Sequence, residues 1–353
     1  MVLQGVQRIL AVTSCKGGVG KSTVALKLSL ALQRRRLKVG LLDSDIHGPS
    51  LPALVPTLPT VEVSRSSLVR PLEAHGLECM SWGFFPKNVT HRQGGASVLR
   101  GQWTGKVALQ MALGTQWGAH SGGRGLDVLV LDMPPGTGDV AMALLNVVPM
   151  TGAVVVSTPS TLALVDVEKG LDMLTRLRIP VVAMVENMAW QDVPVSLSDV
   201  QSAFEQWKTA LPAEVLSAVD ALMQELSKVA LPQVSTGRRI RPFTTKESTV
   251  HDAITQLTKS AQTSCPSVTT FQLPLMPEMS AEALLKETSR PLASPPPDDH
   301  DVFSQMAEHV EQQLLSLPPI ASQKTSLPSG DRLDGSPASW SRFLHRIRHL
   351  HYA

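Results

Sequence analysis

A glycine-rich stretch near the start of the sequence carries the residues best suited to chemistry. It follows the apolar run ILAVTS, precedes a run with helical periodicity, and consists of Cys15, Lys16, Gly17, Gly18, Val19, Gly20, Lys21, Ser22 and Thr23. Glycines let a backbone curl until successive N–H groups point at one anion, and a following helix turns its positive dipole end to the same place. A strand, loop and helix in this order predict a phosphate-binding loop.

The residue types within this loop predict which groups bind phosphate and which bind Mg²⁺. Residues 17–23 are predicted to bind a nucleotide, Lys21 to reach its β- and γ-phosphates, and the Ser22 hydroxyl to coordinate Mg²⁺. The pattern G-x-x-x-x-G-K-S/T has glycine where this chain has Cys15, so the strict pattern is not met. The strand and helix on either side still favour a nucleotide site over a glycine-rich turn without a ligand.

Acidic residues follow two other apolar runs, as a site for Mg²⁺ and a water molecule requires. Asp43 and Asp45 come after VGLL, and Asp132 comes after VLVL, with Gly136 and Asp139 close behind. Acidic residues are common in loops, so one such set alone is weak evidence. Two sets predict carboxylates gathered at the carboxyl edge of a parallel sheet, beside the phosphate loop.

The elements expected to position these residues are short apolar strands alternating with amphipathic helices over residues 1–189. Strands are predicted at 8–13, 38–42, 77–82, 127–131, 152–157 and 181–185, and the first helix at 22–35. The strands show little polar alternation, which is typical of parallel strands buried on both faces. The fold class is therefore α/β, a doubly wound and mostly parallel sheet covered by helices on both sides.

The character of the chain changes after this core. Residues 190–240 are polar with helical periodicity and predict an insertion. Residues 241–317 are predicted to return to the core through a strand at 271–275 and a helix at 301–316. Residues 318–339 are rich in Ser, Pro and Gly, which predicts a disordered linker.

Charge and cysteine content narrow the function classes. Lys+Arg total 32 against Asp+Glu 30, and a formal net charge of +2 gives no reason to expect nucleic acid as a partner. Cys15, Cys79 and Cys265 are too few and too scattered for a disulfide framework, which predicts a reducing compartment. No apolar run approaches the roughly 18 residues of a membrane span. We also expect no signal or transit peptide ahead of the run QRILAV.

The run KGGVGKS resembles the signature of the deviant-Walker P-loop ATPases, a group that includes MinD, ParA, ArsA and the nitrogenase iron protein. The resemblance implies a P-loop NTPase fold of the SIMIBI class, with ATP and Mg²⁺ as ligands and slow ATP hydrolysis. It also implies a homodimer in which Lys16 reaches the nucleotide of the partner. Without the resemblance, Lys16 would be an ordinary surface charge.

Longer segments are similar to the Mrp/ApbC family of iron–sulfur cluster assembly ATPases, in particular to its complex I-assembly branch. They are LLDSDIHGPSLP, CMSWGFF, RGQWTGKVALQM, LVLDMPPGTGDV, TGAVVVSTPSTLALVDVEKG and VENMA, within residues 5–190, and FQLPLMPEMSAEALLKETSRPLA beyond them. The resemblance implies a role in iron–sulfur cluster assembly, with iron–sulfur client or scaffold proteins as partners. A mitochondrial or cytoplasmic location is expected on the same ground.

Roles for single residues also follow from this resemblance. It implies that Asp45 orients the attacking water, that Asp43 supports the Mg²⁺ shell and that Asp132 is the Walker-B carboxylate. The remaining implied roles are those of switch residues for Gly136 and Asp139 and of an adenine contact for Asn187.

The sequence departs from the family where a cluster would be bound. The family carries a C-P-x-C pair shortly after its N-M dipeptide, whereas here Asn187 and Met188 are followed by no cysteine before Cys265. A [4Fe–4S] cluster is held by four ligands, commonly thiolates. We expect Cys79 to be buried in a strand and Cys15 to lie against the nucleotide, so no cluster ligand is assigned. The family's [4Fe–4S] cluster is therefore not expected to be held stably by this chain alone.

Two alternative functions remain open at the level of sequence. Residues 340–353 place Trp340, Phe343 and other apolar residues at helical spacing among Arg and His. Such a basic amphipathic tail is able to lie on an anionic membrane surface, as in a positioning ATPase of the MinD/ParA type, although a disordered or self-docked tail is the simpler interpretation. The other alternative is a regulatory protein that binds ATP without a cluster.

Overall fold

The arrangement of strands and helices is seen in a computed structural model, which describes residues 3, 5–55, 61, 68–85, 101–122, 124–193, 238–240, 268–273 and 302–320. The strands are β1 (Val6–Thr13), β2 (Val39–Asp43), β3 (Leu72–Ala74), β4 (Leu77–Ser81), β5 (Leu126–Asp132), β6 (Gly152–Ser157), β7 (Val181–Glu186), β8 (Gln191–Val193), β9 (Arg238–Ile240) and β10 (Thr269–Gln272). The helices are α1 (Lys21–Arg34), α2 (Leu51–Leu54), α3 (Gly101–Leu113), α4 (Asp139–Val147), α5 (Thr161–Arg176) and α6 (Val302–Ser316), with a short 3₁₀ helix at Trp82–Phe84.

The main sheet has eight strands, in the order β10-β7-β6-β1-β5-β2-β4-β3. All neighbouring pairs in it are parallel except β3 with β4. Every residue of β2, β6 and β7 is buried, and successive side chains of a strand point to opposite faces, so both faces of the sheet are covered. The predicted α/β class with a mostly parallel sheet is confirmed.

The register brings the carboxyl ends of the central strands to one edge. Val12 of β1 lies beside Asp132 of β5, and Asp132 lies beside Asp43 of β2. The loop from β1 to α1 leaves the sheet at the same edge. Ligands of open parallel sheets bind at this edge, so the predicted phosphate loop and the predicted carboxylates lie together.

The six strands predicted for the core are all present, with ends shifted by no more than two residues, and the first helix begins one residue early at Lys21. The predicted returning strand is observed as β10 and the predicted returning helix as α6. β3 was missed because it has only three residues and forms by pairing with β4. The two residues between β3 and β4, His75 and Gly76, both have positive φ (51° and 76°), the conformation of a two-residue hairpin turn. This His-Gly pair was the only local signal for the hairpin.

The predicted insertion is bounded by two strands that pair with each other. β8 and β9 form a separate antiparallel pair in which Gln191 lies opposite Ile240. The two ends of the segment are therefore extended and are held side by side. Residues 194–237 lie outside the described residues, so the helical character of the insertion stays a prediction.

Helix α6 belongs to the core although it follows the insertion in sequence. Its buried side chains are Phe303, Met306, Ala307, Val310 and Leu314. The Arg8 guanidinium of β1 donates a hydrogen bond to the Leu314 carbonyl (2.8 Å), and the Lys27 ammonium of α1 lies 5.3 Å from the Phe303 ring centroid. Among the described helices, none has both the length and the apolar character needed to cross a membrane. The predicted linker beyond residue 320 and the predicted basic tail fall outside the described residues.

Candidate nucleotide site

The loop between β1 and α1 has the backbone geometry of an anion site. Gly18 and Gly20 have φ of 78° and 81°, a conformation that glycine adopts without steric cost. A Cβ built on Gly17 or Gly18 would have no heavy atom within 4 Å, so this side of the loop faces open space. Gly20 precedes α1, and no side chain caps the helix there, which leaves the first N–H groups of α1 available to a ligand. These features fit the phosphates of a nucleotide.

Lys21 lies at the centre of this site. Its side chain is 7% exposed, its ammonium forms an ion pair with the Asp132 carboxylate, and it lies 3.3 Å from the Ser22 hydroxyl. Three of the residues assigned to phosphate and Mg²⁺ are therefore in direct contact. A buried lysine at the end of a glycine-rich loop carries the charge that neutralises a bound phosphate.

Two buried carboxylates lie side by side at the ends of β2 and β5. Burial, and after it the charge of the neighbouring Asp132, raise the pKa of Asp43 to about 7, although hydrogen bonds from Leu51 and Asp45 N–H act in the opposite direction. Burial also raises the pKa of Asp132, while the Lys21 ammonium opposes this shift. Two carboxylates held this way favour a bound cation, because a cation relieves their mutual repulsion. Asp132 and the Ser22 hydroxyl beside it therefore fit Mg²⁺.

The Asp43 carboxylate also shapes the loop that follows it. It accepts hydrogen bonds from Leu51 N–H (3.0 Å), the Ser81 hydroxyl (3.0 Å) and Asp45 N–H (3.1 Å). The half-buried Asp45 in turn accepts from His47 N–H (3.2 Å) and Gly48 N–H (3.1 Å). Asp45 thus lies at the same edge of the sheet, but its carboxylate is engaged by its own turn.

Of the remaining predicted loop residues, Lys16 and Asp139 are exposed and Gly136 is half-buried. Lys16 is exposed, and within the described part of the chain its ammonium has no ion pair or hydrogen bond. Asp139 is exposed at the first residue of α4. Gly136, with φ of 81°, donates its N–H to the Ser14 carbonyl (2.9 Å) and so links the second acidic loop to the phosphate loop. The roles of Lys16, Asp139 and Gly136 stay predictions.

Two serines that sequence reasoning did not single out support the site. The Ser14 hydroxyl donates to the Lys16 carbonyl (3.0 Å), and the Ser44 hydroxyl donates to the Asp132 carbonyl (2.6 Å). The first bond lies within the phosphate-loop segment, whereas the second joins the turn after β2 to the end of β5, two segments that meet only in the folded sheet. No local pattern in the sequence marks these contacts.

Asn187 reaches the phosphate loop from the end of β7. Its side-chain N–H donates to the Val19 carbonyl at 2.8 Å. The structure thus places Asn187 at the site, on the loop backbone, and its implied adenine contact stays a prediction.

The cysteines are arranged differently from what we expected at one of the two described positions. Cys79 is fully buried in β4, as predicted, and burial raises its pKa to about 12. The half-buried Cys15 thiol lies not against the nucleotide side of the loop but against α5, where a Cβ on Gly170 would be 2.1 Å from Cys15 Sγ. Burial raises the pKa of this thiol to about 11. Cys265 lies outside the described residues, within which no group of three or more His, Cys, Asp or Glu side chains is arranged to hold a metal ion.

The contact of Cys15 with Gly170 makes a testable pair. Gly170→Ala is expected to destabilise the protein by about 1–3 kcal/mol, since the added methyl overlaps the Cys15 sulfur. Adding Cys15→Ala should recover most of that loss, because the sulfur is then gone. Urea unfolding of the single and double variants measures this coupling, and two additive losses would show that the residues do not pack together.

The chain matches a known protein family over more than half of its length. Residues 5–227 match the ParA family model described as NUBPL iron-transfer P-loop NTPase. The chain is 39% identical over 196 residues to the iron-sulfur cluster transfer protein NUBPL of Dictyostelium discoideum, a match that covers 55% of this chain and 57% of the relative. It is 42% identical over 193 residues to the iron-sulfur cluster carrier protein of Haemophilus influenzae, with 53% and 48% covered.

A third relative is the chloroplastic Fe-S cluster assembly factor HCF101 of Oryza sativa, 43% identical over 192 residues, with 54% of this chain and 34% of the relative covered. The chain thus spans about half or less of the length of these three relatives. Among solved structures, a nucleotide-binding protein of Archaeoglobus fulgidus in complex with ADP matches with a TM-score of 0.51, 23% identity, and 92% of this chain and 95% of that chain covered. That likeness supports the fold.

Proposed function

Because the chain belongs to the ParA family of P-loop NTPases, in its NUBPL iron-transfer group, we propose that it is a dimeric ATPase that acts in the assembly or transfer of iron–sulfur clusters. One observation carries the ATPase part of the proposal. The Lys21 ammonium, the Ser22 hydroxyl and the Asp132 carboxylate are in contact beside an uncapped helix N-terminus. This is the set of groups that phosphates and Mg²⁺ require.

The protein's own groups account for binding and positioning. N–H groups of residues 17–23 and the Lys21 ammonium would bind the phosphates, and Ser22 with Asp132 would hold Mg²⁺, which supplies charge neutralisation when bound. Asp45 would orient the attacking water once its turn opens, and Asp43 would support the Mg²⁺ shell. Gly136 and Asp139 would sense the γ-phosphate, since Gly136 is already hydrogen-bonded to the phosphate loop.

The dimer is proposed from the exposed Lys16. An ammonium without a partner in the described part of the chain, on the rim of a phosphate loop, is free to reach a phosphate of a second copy. Slow hydrolysis would then determine how long the ATP-bound state lasts, and the nucleotide state would control contact with client or scaffold proteins. We propose a mitochondrial or cytoplasmic location, where thiols and clusters remain reduced.

Activation of an acceptor enzyme tests the cluster role. Apo-aconitase is incubated anaerobically with ferrous iron, sulfide and thiol, with or without the chain and Mg·ATP. We expect the chain with Mg·ATP to speed the recovery of aconitase activity, and the Lys21→Ala variant to give no such gain. Recovery at the same rate with and without the chain would reject the role in cluster assembly while leaving the ATPase assignment intact.

The isolated chain is predicted to retain well under one [4Fe–4S] cluster per dimer after anaerobic reconstitution and desalting. Cys79 is buried and Cys15 packs against α5, so a dimer has only the two Cys265 thiols left, against the four ligands that such a cluster needs. Iron and sulfide analysis together with the absorption near 400 nm measures the cluster. A stoichiometric cluster that survives desalting in the unaltered chain and is lost in Cys265→Ser would contradict this prediction.

A further inference from the structure

We propose that Asn187 is a positioning residue for the phosphate loop, in that its side chain fixes the orientation of a loop peptide; the inference rests on the proposed ATP binding. The side-chain N–H of Asn187 donates to the Val19 carbonyl at 2.8 Å, across a sequence separation of 168 residues. The described chain has no cis peptide, and in a trans peptide the C=O and the N–H point in opposite directions. By holding the Val19 carbonyl, Asn187 therefore also fixes where the Gly20 N–H points.

The orientation of this peptide matters for phosphate binding. A phosphate loop works by presenting successive N–H groups to one anion. If the peptide between Val19 and Gly20 inverted, a carbonyl oxygen would replace one of those N–H groups and would repel the phosphate. Glycine in a left-handed conformation gives little resistance to such an inversion, and Gly20 has φ of 81°. The bond from Asn187 supplies the missing restraint.

The loop and Asn187 are also built against each other sterically. A Cβ on Gly20 would lie 2.3 Å from Asn187 Nδ2 and 3.9 Å from the Met188 methyl carbon. Glycine is thus required at position 20 by this contact as well as by its φ. A side chain there would push the Asn187 amide away from the Val19 carbonyl.

Asn187 reaches the loop from a segment that is itself fixed. The Asn187 N–H donates to the Ser157 carbonyl of β6 (2.8 Å). After it, Met188 turns the chain with φ of 59°, and the Ala189 N–H donates to the Leu273 carbonyl beside β10 (2.8 Å). The Leu273 N–H donates back to the Glu186 carbonyl (2.9 Å). The backbone that carries the Asn187 side chain is therefore held by β6 and by the residue after β10, without any contribution from the adenine base of a nucleotide.

A ligand without a base separates this role from the implied adenine contact. A residue that only contacts adenine affects ATP and leaves tripolyphosphate unaffected, whereas a residue that positions the loop affects both. Asn146 provides a matched control, since it is an exposed asparagine whose side-chain N–H also donates to a backbone carbonyl, that of Met142 in α4 (2.8 Å).

The experiment measures the dissociation constants of Mg·ATP and Mg·tripolyphosphate by calorimetry for the unaltered chain, Asn187→Ala, Asn187→Asp and Asn146→Ala. We expect Asn187→Ala to weaken both ligands by about tenfold, the effect of one lost hydrogen bond at a buried carbonyl. Asn187→Asp should weaken them more, because its carboxylate faces the Val19 oxygen and cannot donate. Asn146→Ala should match the unaltered chain for both.

Melting temperatures without ligand check that each variant is folded, and if the alanine variant is not, the aspartate variant gives the same comparison. Tripolyphosphate affinity in both Asn187 variants within twofold of the unaltered chain would overturn the inference, whether or not ATP binding falls. If the unaltered chain bound neither Mg·ATP nor Mg·tripolyphosphate, the proposed ATP site would be rejected, and this inference with it.

Discussion

Lys21→Ala is expected to weaken Mg·ATP binding by on the order of a hundredfold or more, since charge-assisted hydrogen bonds contribute about 1.5–3 kcal/mol each and about 1.4 kcal/mol is a factor of ten. Lys21 is only 7% exposed. Its removal therefore leaves a phosphate charge without a partner at a place that solvent cations do not readily reach. Calorimetry of ATP binding measures the effect. Lys169→Ala, an exposed lysine that pairs with Asp166 on α5 (3.3 Å), is the matched control and should bind ATP normally.

The stability of the Lys21 variant provides a second check. Removing the ammonium leaves Asp132 buried without its ion-pair partner, which would normally cost several kcal/mol. Because burial already raises the pKa of Asp132, this carboxyl is able to take up a proton, and we expect a folded variant with a lower melting temperature. A folded Lys21→Ala protein with unchanged ATP affinity would contradict the assignment of the phosphate loop.

Lys16→Ala and Asp45→Ala are expected to break the ATPase cycle at different steps. Lys16→Ala should leave ATP binding nearly intact but shift the protein from dimer toward monomer with ATP, because the exposed ammonium would no longer reach the partner's phosphates. Asp45→Ala should form the ATP dimer and fail to hydrolyse it, because the carboxylate that orients water is absent. Light scattering with ATP and with ADP measures the dimer, and phosphate release measures turnover.

Each outcome for this pair has a distinct meaning. The Lys169→Ala variant should behave as the unaltered chain in both measurements. A strictly monomeric unaltered chain with ATP or a non-hydrolysable analogue would contradict the proposed dimer. Normal turnover in Asp45→Ala would show that Asp45 does not orient the attacking water. Its role would then be to stabilise its turn by accepting hydrogen bonds from His47 and Gly48 N–H.

The fold was largely predictable because its strands are buried on both faces. Continuous apolar runs such as 152–157 and 181–185 are typical of strands in a covered parallel sheet. The site was predictable for a related reason, since Asp43 and Asp132 directly follow such runs and Lys21 ends the glycine-rich loop that follows another. Motif and strand pattern together therefore place Lys21, Asp43 and Asp132 at one edge of the sheet.

The unpredicted features depend on contacts between distant parts of the chain. β8 and β9 form only because residues 191–193 and 238–240 meet. The thiol of Cys15 faces α5 because Gly170 leaves room for it, a match that neither residue signals alone. The hydrogen bond from Asn187 to Val19 joins the end of β7 to a loop that leaves β1. Periodicity and motif spacing describe local structure and so carry no information on such pairs.

Phosphate release from Mg·ATP by the unaltered chain tests the central claim most directly. We predict slow steady turnover, below about 1 s⁻¹, the low end of enzyme rates. It should require Mg²⁺ and vanish in Lys21→Ala and Asp45→Ala, while Lys169→Ala retains it. Phosphate release no higher than that of Lys21→Ala, in a preparation that is folded and saturated with Mg·ATP, would contradict the assignment of this chain as an ATPase.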